Sequence, residues 1–474
     1  MDSCIKETTR LRYAQNSRAA VSRLPTELLA DVFLRIVESG LQDGDTRFVT
    51  GTFCFLQVCR RWNEVAVSFP LLWGWWVAGA VRAWPLFNSR SRDVPLFLMW
   101  RPQLPDSAYD VLMDPTITSK RIRQLDFSGT NEQLVQLLDA FDSNPPSNAS
   151  SIRIQIFPFD RRYHRKSDDP RGHIARFLSP PFPRLARLDL ENILPNSSSP
   201  IFTTSNLISL KLSILYAREN RYTPSQLLQI LRQHPNLQEL DLNHDAIPLP
   251  GPPSAPVSFV LPRLADLRLY GSEAAILGFI DLICMSSPLH NVIVCFELNR
   301  GLTIPGLAST VKEMLVAYYE CQGLNYSRTV DHLIISYDSG ERYLAFNTRS
   351  HSVPTSNLGL KANLRLQFNG VLPDDAMATE IFPLFPLHDL QEFTAEGQVI
   401  YGCRYRGMFQ KMKNLSHLRL ENLDIRPVLG ALSSGSQGLS QPVTKTTPIH
   451  PHTHRRTVWR NHPGKAGVVN RISP

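Results

Sequence analysis

A short pattern, L-x-x-L-x-L, returns along this chain at Leu185/Leu188/Leu190, Leu207/Leu210/Leu212, Leu237/Leu240/Leu242, Leu264/Leu267/Leu269 and Leu415/Leu418/Leu420. Fainter copies fall at Ile122/Leu125/Phe127, Leu289/Val292/Val294 and Val330/Leu333/Ile335, with a degenerate one at Leu364/Leu366. The copies that begin at 185, 207, 237 and 264 follow one another near the period of about 20 to 29 residues at which a strand-plus-helix unit repeats. A single hexamer is weak evidence, because any leucine-rich amphipathic segment produces it. The flanks strengthen it. Pro183, Pro235 and Pro262 each stand two residues before the first leucine of a copy, where proline ends a preceding helix. Thr130 with Gln133 forms a capping box, Thr223-Pro224 an N-cap followed by proline, and Ser272 a third N-cap. Strand, turn, helix, turn is the unit.

The fold class expected is therefore α/β, an irregular repeat solenoid over residues 119–432 with parallel strands on the concave face and helices outside. A period of two sends the second and third leucines of each copy inward and their neighbours outward. Arg187, Asp189, Lys211, Glu239, Asp241, Asp266, Arg268, Tyr270 and Arg419 are the outward residues that form the candidate target-binding face. Both signs of charge are present, which suits a protein target more than a polyanion.

Ahead of the repeats lies a different texture. Apolar residues at 24, 28, 29, 32, 33, 36 and 37 have helical spacing, and Pro25 suits the first turn of that helix. After a polar break at Glu38 to Asp45, a second periodic run gathers Phe55, Leu56, Val58, Cys59, Trp62, Val65 and Ala66 on one side. So few residues cannot bury so much aliphatic surface among themselves, and the pair of helices needs a partner.

Composition narrows the function. Of the 474 residues 43% are hydrophobic and 19% charged, and a net charge of +8 is scattered rather than gathered in a stripe. No nucleic-acid partner is expected from such a distribution. The densest basic run, Arg161 to Lys166, abuts Asp168 and Asp169 and reads as a solvated loop. Seven cysteines show no paired metal or redox spacing, and no metal or cofactor is expected, His450, His452 and His454 included. The opening residues lack an apolar leader, and a cytoplasmic or nuclear location, or both, is expected. The uncharged stretch Val65 to Val81, interrupted by Pro70, Gly74 and Gly79, reads as buried core rather than a membrane span. P-loop, dinucleotide, G-x-S-x-G and H-E-x-x-H signatures are missing, and a non-catalytic role is expected.

Leu24-Pro25-Thr26-Glu27-Leu28-Leu29, followed by Val58-Cys59-Arg60-Arg61-Trp62-Asn63-Glu64-Val65-Ala66 and Pro70-Leu71-Leu72-Trp73, resembles an F-box. The downstream array resembles the leucine-rich repeat F-box class, particularly its divergent fungal members. That resemblance implies a substrate-recognition subunit of a Skp/cullin/F-box ubiquitin ligase. The F-box would dock the Skp adaptor, and through it a cullin and a RING protein, while the repeats capture a target for ubiquitin-dependent degradation. By position, Leu24, Pro25, Leu28, Leu29, Val32, Phe33, Leu56, Val58, Cys59 and Trp62 match the adaptor-binding and core positions of the motif. The Gly40 to Gly51 connection departs from it, being longer and more polar.

The division expected is a flexible N-terminus at 1–20, the F-box at 21–73, a linker at 74–118, the repeats at 119–432 and a disordered tail at 433–474. The rival reading is a repeat scaffold without a ubiquitin role, whose N-terminal helices merely cap the solenoid.

Overall fold

The computed structural model describes scattered residues from 7 onward, then 18–42, 53–77, 82–101, 119–142, 144–156, 171–214, 221–249, 259–284 and 291–297, followed by five later strands and short pieces between them up to 421. The expected disordered tail, most of the expected flexible N-terminus and the basic run at 161–166 lie outside the described residues.

The chain opens with a helical module: α1 (Thr26–Gln42), a 3-10 turn (Phe53–Gln57), α2 (Arg60–Ser68) and a second 3-10 turn (Pro70–Gly74). Pro25 precedes α1 rather than standing inside it, and its carbonyl accepts from the Leu29 N–H at 3.1 Å. Helix α1 runs on through Gly40 into the expected polar break. The second apolar run is not one helix. Cys59 is extended and divides the 3-10 turn from α2. The described part of the stretch Val65 to Val81, up to Val77, is broken among α2, the turn and β1 (Trp75–Val77), and no helix among the described residues is long and apolar enough to cross a membrane.

The segment at 74–118 is expected to be a linker, but its described residues, 74–77 and 82–101, are built into the fold. It contains β1, α3 (Trp84–Ser91) and β2 (Leu96–Trp100), and both strands belong to the main sheet. Leu96 to Trp100 is a short continuous apolar run, buried at four of its five positions. A linker would have to leave that surface in water. Gly74 makes the junction possible, since a Cβ there would meet the Pro95 carbonyl oxygen at 2.5 Å. Arg121 ties the junction from the other side, donating to the Ser91 hydroxyl at 2.8 Å and the Val94 carbonyl at 3.2 Å.

The array then alternates β3 (Ile122–Gly129), α4 (Asn131–Asp142), β4 (Ser151–Ile156), α5 (Arg171–Phe177), β5 (Arg187–Glu191), α6 (Pro200–Thr204), β6 (Ser209–Ile214), α7 (Pro224–Arg232) and β7 (Glu239–His244). Next come β8 (Phe259–Val260), β9 (Asp266–Gly271), α8 (Glu273–Leu282), β10 (Ile283–Cys284) and β11 (Asn291–Glu297), with β8 and β10 forming a separate small parallel pair. From β1 to β11 the nine strands of the main sheet follow chain order and every neighbouring pair is parallel. Leucines 188, 190, 210, 212, 240, 242, 267 and 269 are buried in one continuous core, and the leading leucines 185, 207, 237 and 264 are buried in the turns before their strands. This is an α/β, solenoid-like parallel stack.

Two caps match the sequence. The Thr223 hydroxyl accepts from the Gln226 N–H, and the Gln226 carboxamide accepts from the Thr223 N–H. Thr130 and Gln133 make the same exchange. Ser272 occupies the N-cap position of α8 but makes no side-chain cap bond.

The stack is not parallel throughout, contrary to expectation. Strand β12 (His332–Asp338) turns back as β13 (Glu341–Thr348), and β14 (Ala362–Asn369) pairs parallel with β11. The antiparallel β13 thus lies between β14 and β12, and β15 (Glu392–Gly397) and β16 (His417–Glu421) continue parallel beyond β12. The copy beginning at Val330 is therefore displaced from β11, which its place in the chain would have made its neighbour.

Candidate functional site

Two surfaces stand out, one on the helical module and one on a face of the main sheet. In the module, Phe33 of α1 stacks on Phe55 with ring centroids 4.3 Å apart and meets Trp62 at 5.2 Å. The Arg61 guanidinium donates to the Leu24 carbonyl, and Asn63 Nδ2 donates to the Leu56 carbonyl at 3.1 Å. The Trp73 indole N–H donates to the Ala66 carbonyl at 2.9 Å, and its ring meets Phe53 and, edge-on, Phe87 of α3. Arg90 lies 4.3 Å over the same ring, a cation–π contact. The module's core therefore continues without a break into the first helix of the array.

Helix α1 has two apolar stripes. Leu29, Phe33 and Val37, one turn apart, are fully buried. Beside them Leu28, Val32 and Ile36 are 54%, 41% and 38% exposed, and Val58 and Leu71 are exposed as well. The ten sequence candidates separate accordingly. Pro25, Leu28, Val32 and Val58 are exposed, and Leu24, Leu56, Cys59 and Trp62 are half-buried. Leu29 and Phe33 face the internal core with no free surface, so their assignment to an adaptor contact is corrected: they hold the helix, and their neighbours hold the outer face. Ile36 belongs with the outer stripe, and its helical spacing in the sequence was the signal for it.

On one face of the main sheet a groove of about 610 Å³ runs across the strands from Glu38 and Trp75 at one end to Asp266 and Arg268 at the other. Arg187, Asp189, Lys211, Glu239, Asp241, Asp266 and Arg268, all expected outward, line it together. Tyr270 stands one outward position further along β9, its ring 4.1 Å from that of His244. Arg419 is on β16, in register with Thr394; its side chain lies outside the described residues. Arg101, Asp126 and Arg153 also line the groove and were not among the sequence candidates, although the Ile152/Ile154/Ile156 alternation around Arg153 carries the strand signal.

Register explains the electrostatics. Asp126, Arg153, Asp189, Lys211, Asp241 and Arg268 fall in one row across β3 to β9, so the sign of charge alternates from strand to strand. Arg101 closes the row, its two terminal nitrogens donating to both Asp126 carboxylate oxygens at 3.0 and 3.2 Å. Arg153 reaches Asp189 at 3.2 Å, and Lys211 sits 4.0 Å from both Asp189 and Asp241. Despite these cations, burial pushes the Asp189 and Asp241 carboxyls above the usual carboxylate range; Lys211 opposes the shift at both, with Arg153 at Asp189 and Arg268 at Asp241. Glu191, which accepts from the Gln155 carboxamide, is raised by burial too. Desolvation outweighs pairing at all three. Among the described residues no group of three or more His, Cys, Asp or Glu side chains is placed to hold a metal ion.

No protein-family model matches the chain, and no curated protein matches it either.

Proposed function

We propose that this protein is the target-recognition subunit of a Skp/cullin/F-box ubiquitin ligase, with the helical module as its F-box and the groove as its target site. The observation that carries the reading is the doubled stripe of α1. A helix serving only as a cap needs one apolar face, whereas α1 buries Leu29, Phe33 and Val37 and still presents Leu28, Val32 and Ile36 to solvent. Contiguous apolar residues of this kind mark a partner-binding surface, and on the F-box resemblance that partner is the Skp adaptor. The chain's contribution is positioning: holding a target beside the transfer machinery raises the effective concentration of the reacting groups.

The experiment is co-purification of the full chain with the Skp adaptor. Leu28→Asp abolishes capture and leaves the unfolding temperature unchanged. Undiminished capture by that variant rejects the docking face. A second reading, a repeat scaffold whose helices only cap the array, is favoured by the contacts of Trp73 and Phe53 with Phe87 of α3. Under it neither wild type nor variant binds the adaptor.

A further inference from the structure

We propose that the groove holds an extended polypeptide segment with an aromatic or large apolar side chain at one end and a lysine or arginine at the other, laid across the strands. This deepens the reading of the groove as the target site and is independent of adaptor docking.

The two ends of the groove differ in chemistry. At the β1/β2 end, Trp75 and Phe97 stack face to face with centroids 4.1 Å apart and 8° between planes, and both remain half-exposed. Trp75 lines the groove with Phe97 stacked behind it, and an aromatic side chain held in place at the end of a groove suits an apolar anchor, the kind of contact on which binding energy concentrates. Through the middle, Arg101, Arg153 and Lys211 are held by Asp126, Asp189 and Asp241, and Arg187 is the lining cation there with no ion pair among the described residues.

At the far end the balance fails. Glu239 and Asp266 oppose each other directly across β7 and β9, and no cation among the described residues forms an ion pair with either. Like charges in that position repel and destabilise the pair of strands. A cation brought between them relieves the repulsion, so the free chain is poised for a basic side chain. Six carboxylates against five cations line the groove as a whole, a balance that disfavours a polyanion. From β2 to β7 there are five strand steps, about 24 Å at ~4.8 Å each, which an extended segment of about seven residues spans.

The test is selection of a random dodecapeptide phage library on the full-length protein. Wild type enriches peptides in which an aromatic residue and a Lys or Arg are about six to eight positions apart. A Glu239→Lys/Asp266→Lys variant enriches acidic residues instead and binds the wild-type peptides about tenfold or more weakly, the scale of one lost charge pair. Trp75→Ala loses the aromatic preference and keeps the basic one. The proposal is overturned if wild type shows no charge preference, if the double variant selects the same peptides, or if wild type prefers acidic peptides or poly-uridylate RNA. Leu28→Asp is run in parallel and selects the same peptides. Adaptor capture without peptide selection removes this proposal alone, and peptide selection without adaptor capture removes the ligase reading alone.

Discussion

Leu28 and Leu29 are adjacent in the chain and face opposite environments: Leu29 has no accessible surface, while Leu28 keeps 54% of its own. One residue step on a helix is a turn of about 100°, enough to divide an inner stripe from an outer one. Leu29→Ala should cost about 2–5 kcal/mol, because it opens a cavity beside Phe33 and Phe55. Leu28→Ala should change stability by no more than about 0.5 kcal/mol. Chemical denaturation of the two single variants measures the contrast, and equal losses would mean that α1 is turned differently.

The Arg101 and Asp126 side chains are 14% and 7% exposed and are joined by two parallel hydrogen bonds. Removing one member of such a pair strands the other in a partly dry environment. Asp126→Ala is expected to lose about 3–5 kcal/mol, whereas a combined Arg101→Met/Asp126→Leu replacement stays within a kcal/mol or so of wild type. Urea unfolding of the single and double variants, analysed as a cycle, checks the sign. A double variant no better than the single one would show that the lost stability comes from packing rather than charge.

Capping offers a three-way comparison. Thr130 and Thr223 each complete a reciprocal box with a glutamine, while Ser272 sits at an N-cap without bonding. Replacing either threonine by alanine should lower stability by about 1 kcal/mol. Ser272→Ala should be close to neutral. Thermal unfolding of the three variants gives the ranking, and a Ser272 loss as large as the others would contradict the placement of α8.

These caps also show how far the sequence could be read. The unit of the array was legible because the L-x-x-L-x-L copies at 185, 237 and 264 combine two signals, a period of two within the strand and a proline two residues before the first leucine. Strands β1 and β2 were missed because Trp75 to Val77 and Leu96 to Trp100 are short apolar runs without alternation, and such runs do not distinguish strand from loop-bound core. β4 was legible in its Ile152/Ile154/Ile156 alternation but lacks leucine. The antiparallel β13 follows Asp338-Ser339-Gly340, a turn signal, yet nothing local says that the returning strand will separate β12 from β11. The outward groove residues from Arg187 to Arg268 followed from parity alone, whereas Arg101, Asp126 and Arg153 did not enter because their strands carry no clear copy of the repeat. Which carboxylates stay unpaired depends on cross-strand register, and register between distant copies is set by the lengths of the intervening turns and helices.

Behind the groove, His234 follows α7 with no accessible surface and neither ring nitrogen hydrogen-bonded, its ring 6.4 Å from that of Phe202. Burial lowers its pKa from 6.5 to about 4. Above about pH 6.5 the imidazole is neutral in both folded and unfolded chains, and the fold is at full strength. As pH falls from there toward 4 the unfolded chain takes up the proton first, so stability drains by about 3 kcal/mol across that window. His234→Leu removes the titration and packs an apolar side chain of similar size against Phe202. Asp189, Glu191 and Asp241 act in the opposite sense, because their raised folded values favour the native state as pH decreases. The readout is therefore the difference between variant and wild type. That difference should be small at pH 7.5 and grow in favour of the variant by pH 5 in urea titrations of both proteins. A difference independent of pH would mean that the His234 ring is hydrogen-bonded or hydrated in solution.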